Sequence, residues 1–148
     1  MSIKINYKNS TLKNPSNNQV LFVDERFNLN PLKKYLSNSE YSYINDLLKT
    51  SDLNKNLFIF ELSSKKKIVL VSIKKNIKTS DIENLGAELY RRVNYGKNSE
   101  YFINSNSIIS KDKNFIGHFL HGLKLKSYEF NKYKSKKDTR LITMNIFG

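Results

Sequence analysis

Apolar residues recur along the chain in short runs set off by polar breaks, with helical spacing in the stretches between them. Runs at 3–7, 20–23, 57–62, 68–73, 101–103 and 141–147 predict six strands. Leu57-Phe58-Ile59-Phe60 and Ile68-Val69-Leu70-Val71 are continuous rather than alternating, which is the pattern of a central sheet covered by helices on both sides. The short Ser63-Ser64-Lys65-Lys66 link makes these two a hairpin, so the sheet is expected to be mixed. Three helices lie between the strands. Ser37 with Glu40, and Ser80 with Glu83, have the spacing of a capping box. In the second helix Ile82, Leu85, Leu89 and Val93 share a stripe beside Gly86, and Gly96 is placed to end it in a left-handed turn. Gly86-Ala87 is read as the point where this helix approaches the sheet closely. The third helix, over about 115–126, gathers Phe115, Ile116, Phe119, Leu120 and Leu123 into one sector. The order of elements predicts an α/β domain with a mixed central sheet flanked by helices, occupying residues 1–148 as a single unit.

Composition narrows the function. The 148 residues carry 26 Lys and Arg against 13 Asp and Glu, a formal net charge of +13, and such an excess invites a polyanion partner. Lysine supplies 22 of the 26, however, and Asn (20) and Ile (14) are raised with it. All three use A/T-rich codons, so a biased genome raises them together. Only four residues are Arg, whose planar fork suits phosphate and base edges better. The absence of cysteine excludes disulfides, thiolate nucleophiles and Cys-type metal clusters and fits a reducing interior. No segment reaches the ~20 apolar residues of a membrane-spanning helix, so a cytoplasmic protein without a membrane partner is expected.

One segment carries a family pattern. Gly122 near the end of the third helix leads into Ser127, Tyr128, Phe130, Tyr133, Lys134, Lys136 and Lys137, a Tyr-x-Phe-x-x-Tyr-Lys-x-Lys-Lys run. This resembles the end of the N-terminal domain of the cytosolic leucyl aminopeptidases, peptidase family M17, with Glu129 in place of the usual Arg and Asn131 in place of the usual Asp. Ile82 to Ala87 is similar to that family's Leu-x-x-x-Gly-Ala helix. The resemblance implies a macro-domain-like sandwich and a non-catalytic domain with a structural, assembly or regulatory role. It also implies a homo-hexameric parent enzyme that removes N-terminal amino acids from peptides. Two divalent metal ions, Zn or Mn, would be held by Lys, Asp and Glu in a separate C-terminal catalytic domain, this chain's partner. That domain's Thr-Phe-Asp-Ser-Gly-Gly-like and Asn-Thr-Asp-Ala-Glu-Gly-Arg-like strings do not occur in this chain.

The residues themselves offer little chemistry. His118 and His121 are the only histidines, and an i, i+3 pair can meet one metal, but both project from the helix away from its apolar sector with no Cys to complete a site. Glu129 and Asp112, the nearest carboxylates, fall outside the predicted helix. No serine sits in a Gly-x-Ser-x-Gly elbow, and five scattered glycines cannot cradle a pyrophosphate, which counts against ADP-ribose binding. Asp24-Glu25 follows a strand; Asp24 is read as capping the turn and Glu25 as balancing Arg26. The segment bounded by Lys111 and Arg140 holds nine basic and three acidic residues with Tyr128, Phe130 and Tyr133 interleaved. It could bind nucleic acid by stacking and charge, or bury its rings beneath the sheet and leave its lysines on a loop, and the family resemblance favours this second reading. No catalytic, cofactor-binding or metal-ligating residue is assigned to this chain.

Overall fold

Two parallel strands anchor the sheet. β2 (Asn18–Asp24) and β4 (Lys66–Ile73) are paired from Gln19↔Ile68 to Asp24↔Ile73. Their side chains alternate between two cores, as a strand's twofold period requires. Val20, Phe22, Val69 and Val71 enter one core, and Leu21, Val23, Ile68 and Leu70 the other. The computed structural model describes residues 2–8, 18–52, 54–63, 66–93, 99–108, 114–132 and 141–147. With β1 (Ser2–Lys8), β3 (Leu57–Ser63), β5 (Ser99–Asn104) and β6 (Leu141–Phe147), the sheet runs β1-β6-β5-β2-β4-β3. Every pair is parallel except the β3–β4 hairpin, so the predicted mixed sheet is found.

Helices cover both faces. α1 (Asn38–Lys49) buries Ile44 and Leu48 against Leu21, Leu70 and Phe60, while α2 (Thr79–Val93) and α3 (Phe115–Lys132) close the larger core on the opposite face. The apolar stripes read from the sequence are the buried ones: Ile82, Leu85, Leu89 and Val93 on α2, and Phe115, Phe119, Leu120 and Leu123 on α3. Phe22 meets Phe115 and Phe119 edge-on at 5.5 and 5.3 Å, a favoured ring geometry that seats the start of α3 on β2.

Several details depart from the sequence reading. β3 is an edge strand, and Phe58 and Ile59 are half-buried; its apolar run matches that of β4, but only β4 has neighbours on both sides. α2 already begins at Thr79, with the Lys78 carbonyl accepting from the N–H groups of Asp81 and Ile82, each at 3.0 Å. Ser80 therefore lies inside the first turn instead of capping it. α3 continues to Lys132, beyond the expected end near 126, because no Gly or Pro falls between 126 and 132, and Glu129 belongs to the helix. Gly96 lies outside the described residues.

Gly86 does mark a close approach, but to α3 rather than to the sheet. A Cβ built on Gly86 would lie 1.9 Å from the Phe119 carbonyl oxygen, and one built on Gly122 would lie 1.9 Å from that of Glu83. Backbone meets backbone at both points. Gly117, also on α3, has nothing within 4 Å of such a Cβ.

α1 starts with the expected capping box. Ser37 Oγ accepts from the Glu40 N–H at 3.2 Å, and Glu40 Oε1 accepts from the Ser37 N–H at 3.0 Å. Lys66 at the start of β4 donates to Glu40 Oε2 at 2.6 Å, tying the helix start to the sheet. Burial alone would raise the Glu40 pKa, but the hydrogen bonds from Lys66 and Ser37 and the Lys66 charge together outweigh it and hold the carboxyl below its ordinary 4.5.

Two predictions follow from these contacts. Gly86→Ala and Gly122→Ala should each cost about 1–3 kcal/mol or more in chemical denaturation, because helix backbones must separate. Gly117→Ala should instead stabilise by about 0.5–1 kcal/mol through helix propensity; equal effects at all three positions would contradict the crossing. The depressed folded pKa of Glu40 makes its ionised form stabilising above the unfolded carboxylate value, with the benefit lost as pH falls through the folded value. Glu40→Gln keeps a capping-box residue and removes the charge, so it should cost about 1 kcal/mol at pH 7 and flatten the acid limb of the stability curve.

Candidate functional site

Among the described residues an open space lies between α2 and the start of the β3–β4 hairpin. β4 hands its last residues to a turn, Lys74-Lys75-Asn76, in which Asn76 takes a left-handed φ of 59° before α2 begins. Across the gap, the approach to β3 is held in register by the Ser72 N–H donating to the Asn56 carbonyl at 2.8 Å. The result is a cleft of about 600 Å³, floored by Leu57 and Leu85 and walled by polar side chains. α2 lines it along one flank, from Asp81 through Glu88 to Arg91 and Arg92. Residues 81 to 92 at 1.5 Å per residue give that wall a length of roughly 16 Å.

Charge in the cleft is one-sided. Lys55, Lys74, Lys75, Arg91 and Arg92 line it against only Asp81 and Glu88, and Glu88 is already paired with Arg91 one helical turn on. Among the described residues no carboxylate lies within ion-pair distance of Lys55, Lys74, Lys75 or Arg92.

A second, smaller cleft of about 430 Å³ opens beyond Arg92, where Tyr101, Glu61, Lys67 and Asn18 meet. Burial, followed by the nearby Glu61 charge, pushes the Tyr101 hydroxyl pKa above its ordinary value of 10. Tyr101 is thus kept neutral near neutral pH.

The residues weighed in the sequence are dispersed. His121 is exposed, with Nε2 3.4 Å from Glu83 Oε2 on α2; His118 is half-buried one turn earlier. Among the described residues no group of three His, Cys, Asp or Glu could hold a metal ion. Asp112 and the side chain of Glu129 lie outside the described residues. Asp24 caps its turn as read: Oδ1 accepts from the N–H groups of Arg26 at 3.2 Å and Asn28 at 2.9 Å. That turn carries Phe27 at a φ of 57° into the α1-side core, against Phe58. Glu25 and Arg26 are both exposed. Tyr128, expected beneath the sheet, is 67% exposed on α3, because the helix runs on and carries it outward; Phe130's side chain, Tyr133 and the basic run 134–140 lie outside the described residues. Among the described residues no helix is long and apolar enough to cross a membrane.

The cleft residues were not singled out from the sequence. Their signal was present: two of the four arginines are adjacent at 91 and 92, and a Lys-Lys-Asn turn follows the most continuously buried strand.

Comparison with known proteins identifies the family and the fold. Residues 20–137 match the sequence profile of the cytosol aminopeptidase family, N-terminal domain. Among solved structures, a tomato leucine aminopeptidase mutant superposes over 99% of this chain and 32% of its own, with a TM-score of 0.65 and 15% identity. The macrodomain of Thermus aquaticus DarG superposes over 99% of both chains, with a TM-score of 0.59 and 9% identity. At these identities the likeness is one of fold, and it bears out a macro-domain-like α/β sandwich. This chain spans about a third of the length of the tomato enzyme. Comparison with curated proteins gives no match.

Proposed function

Because the chain belongs to the cytosol aminopeptidase family, in which it corresponds to the N-terminal domain, we propose that it is the non-catalytic domain of a leucyl-aminopeptidase-like metallopeptidase. Its role is structural, in assembly or in regulation, within a cytoplasmic enzyme that removes N-terminal amino acids from peptides. The family match over residues 20–137 is the observation that carries this reading.

The donor set supports a division of labour. A pair of Zn or Mn ions that activates water needs several carboxylates and further donors around an open position. The described part of this chain brings no three such groups together, and of its two histidines His121 is turned to Glu83 on α2. These residues do not fit a dinuclear centre, so the metals and the peptide-bond chemistry are assigned to a C-terminal catalytic domain. Residues 1–148 then act as one unit packed against that domain, in a homo-hexamer.

Purified chain supplied with Mn or Zn and leucine amide should release no ammonia above background. Metal-dependent turnover that survives repurification and is abolished by a chelator would overturn the assignment. The second reading is a stand-alone nucleic-acid module acting through the segment bounded by Lys111 and Arg140, and it is favoured by one observation, the exposed ring of Tyr128 on the same helix as exposed Lys124. It requires duplex or single-stranded DNA to bind with a steep inverse dependence on salt and to weaken when Lys134, Lys136 and Lys137 are neutralised; a flat salt response removes it.

A further inference from the structure

We propose that the cleft between α2 and the β3–β4 hairpin is a binding site for a small anion bearing phosphate groups. The proposal is independent of the aminopeptidase reading. Three separate elements deliver its cations: Lys55 from the approach to β3, Lys74 and Lys75 from the turn after β4, and Arg92 from the last turn of α2. Convergence from three elements is not the solvated face of one helix. All four are exposed, and among the described residues none has a carboxylate within ion-pair distance, which leaves them available to an incoming anion.

Position and size agree with that occupant. β4 runs parallel to β2, and the cleft opens beyond its carboxyl end, where open α/β sheets leave crevices for ligands. A volume of about 600 Å³ is that of a small-molecule site, and the roughly 16 Å wall separates the lysine end from the arginine end far enough for two anionic groups on one ligand. Lysine ammonium groups suit phosphate as point charges, and the guanidinium adds a planar fork. The apolar floor of Leu57 and Leu85 accommodates the part of the ligand that joins its charged ends.

Asp81 at the first turn of α2 and the Glu88–Arg91 pair face the same space. They oppose a large polyanion laid along the whole wall and favour a short ligand whose charges avoid them. A nucleic-acid backbone presents phosphodiesters at every step and would meet both carboxylates.

The test is isothermal titration calorimetry of the full chain with inorganic pyrophosphate, accompanied by amide chemical-shift mapping and by circular dichroism of every variant. One-to-one binding is expected at the lysine end, with shifts concentrated at 54–57 and 74–77. Lys74→Gln with Lys75→Gln should weaken binding at least about tenfold, whereas Arg92→Gln, at the far end of the wall, should weaken it less because pyrophosphate is too short to span both ends. Lys4→Gln with Lys49→Gln removes the same charge from exposed positions elsewhere and should change affinity by no more than about twofold. No binding at millimolar pyrophosphate, equal losses in the two double variants, or shifts scattered over the basic surface would each overturn the proposal. So would a short DNA duplex binding through the same lysines more tightly than pyrophosphate, since the surface would then be a nucleic-acid track.

Discussion

The α2–α3 crossing sets the geometry of one whole layer. Two helices meet at carbonyl oxygens because Gly86 and Gly122 present hydrogen where any other residue would present carbon. Glycine in a helix interior costs about 1 kcal/mol relative to alanine, so two such positions facing each other's partner helix represent a real sacrifice of local propensity. What they permit is depth: α3 lies low enough for Phe115 and Phe119 to reach Phe22 on a central strand, and for Leu120 and Leu123 to vanish from solvent. Fixing two helices against each other also fixes the flank of α2 turned toward β3, and hence the wall of the cationic cleft.

Much of this was legible. Six apolar runs became six strands, since β4 and β2 need apolar side chains on both faces and leave few polar interruptions. The Ser37–Glu40 box was readable because its chemistry is local, complete within four residues. Readings failed where the answer depends on distant neighbours. Nothing in Leu57-Phe58-Ile59-Phe60 distinguishes an edge strand from a central one, and nothing beside Gly86 says whether its close partner is a sheet or a helix over thirty positions away. Tyr128 was misplaced because the length of α3 had been inferred from the end of its apolar sector, whereas a helix continues as long as no residue stops it.

The candidate site was hidden by a correct argument applied too broadly. An excess of lysine shared with asparagine and isoleucine does describe the composition as a whole, and among the described residues most lysines are exposed. Composition is blind to placement, though. Lys74, Lys75 and Lys55 are ordinary members of that excess in sequence, yet the hairpin register brings them to one opening, across from a pair of arginines that codon bias does not explain. The few residues that carry chemistry in the separate sense of catalysis are scattered, and each has a structural employment: Asp24 in a turn, Glu40 in a cap, Tyr101 beneath α2.

The pairing of β1 with β6 bears on how the chain acquires its shape. Ser2 is aligned with Leu141 and Lys8 with Phe147, so β1 leaves the ribosome long before its neighbour β6 in the sheet exists. At roughly 5–20 residues per second it waits on the order of ten seconds as an unpaired ribbon with half-buried Ile3 and Ile5 exposed. β2, β3 and β4 can assemble in that interval, and β5 can dock on β2, but the far side of the sheet must form last and by the longest loop closure in the molecule. Nascent-chain handling, rather than the finished packing, is therefore where this architecture is most exposed to misassembly.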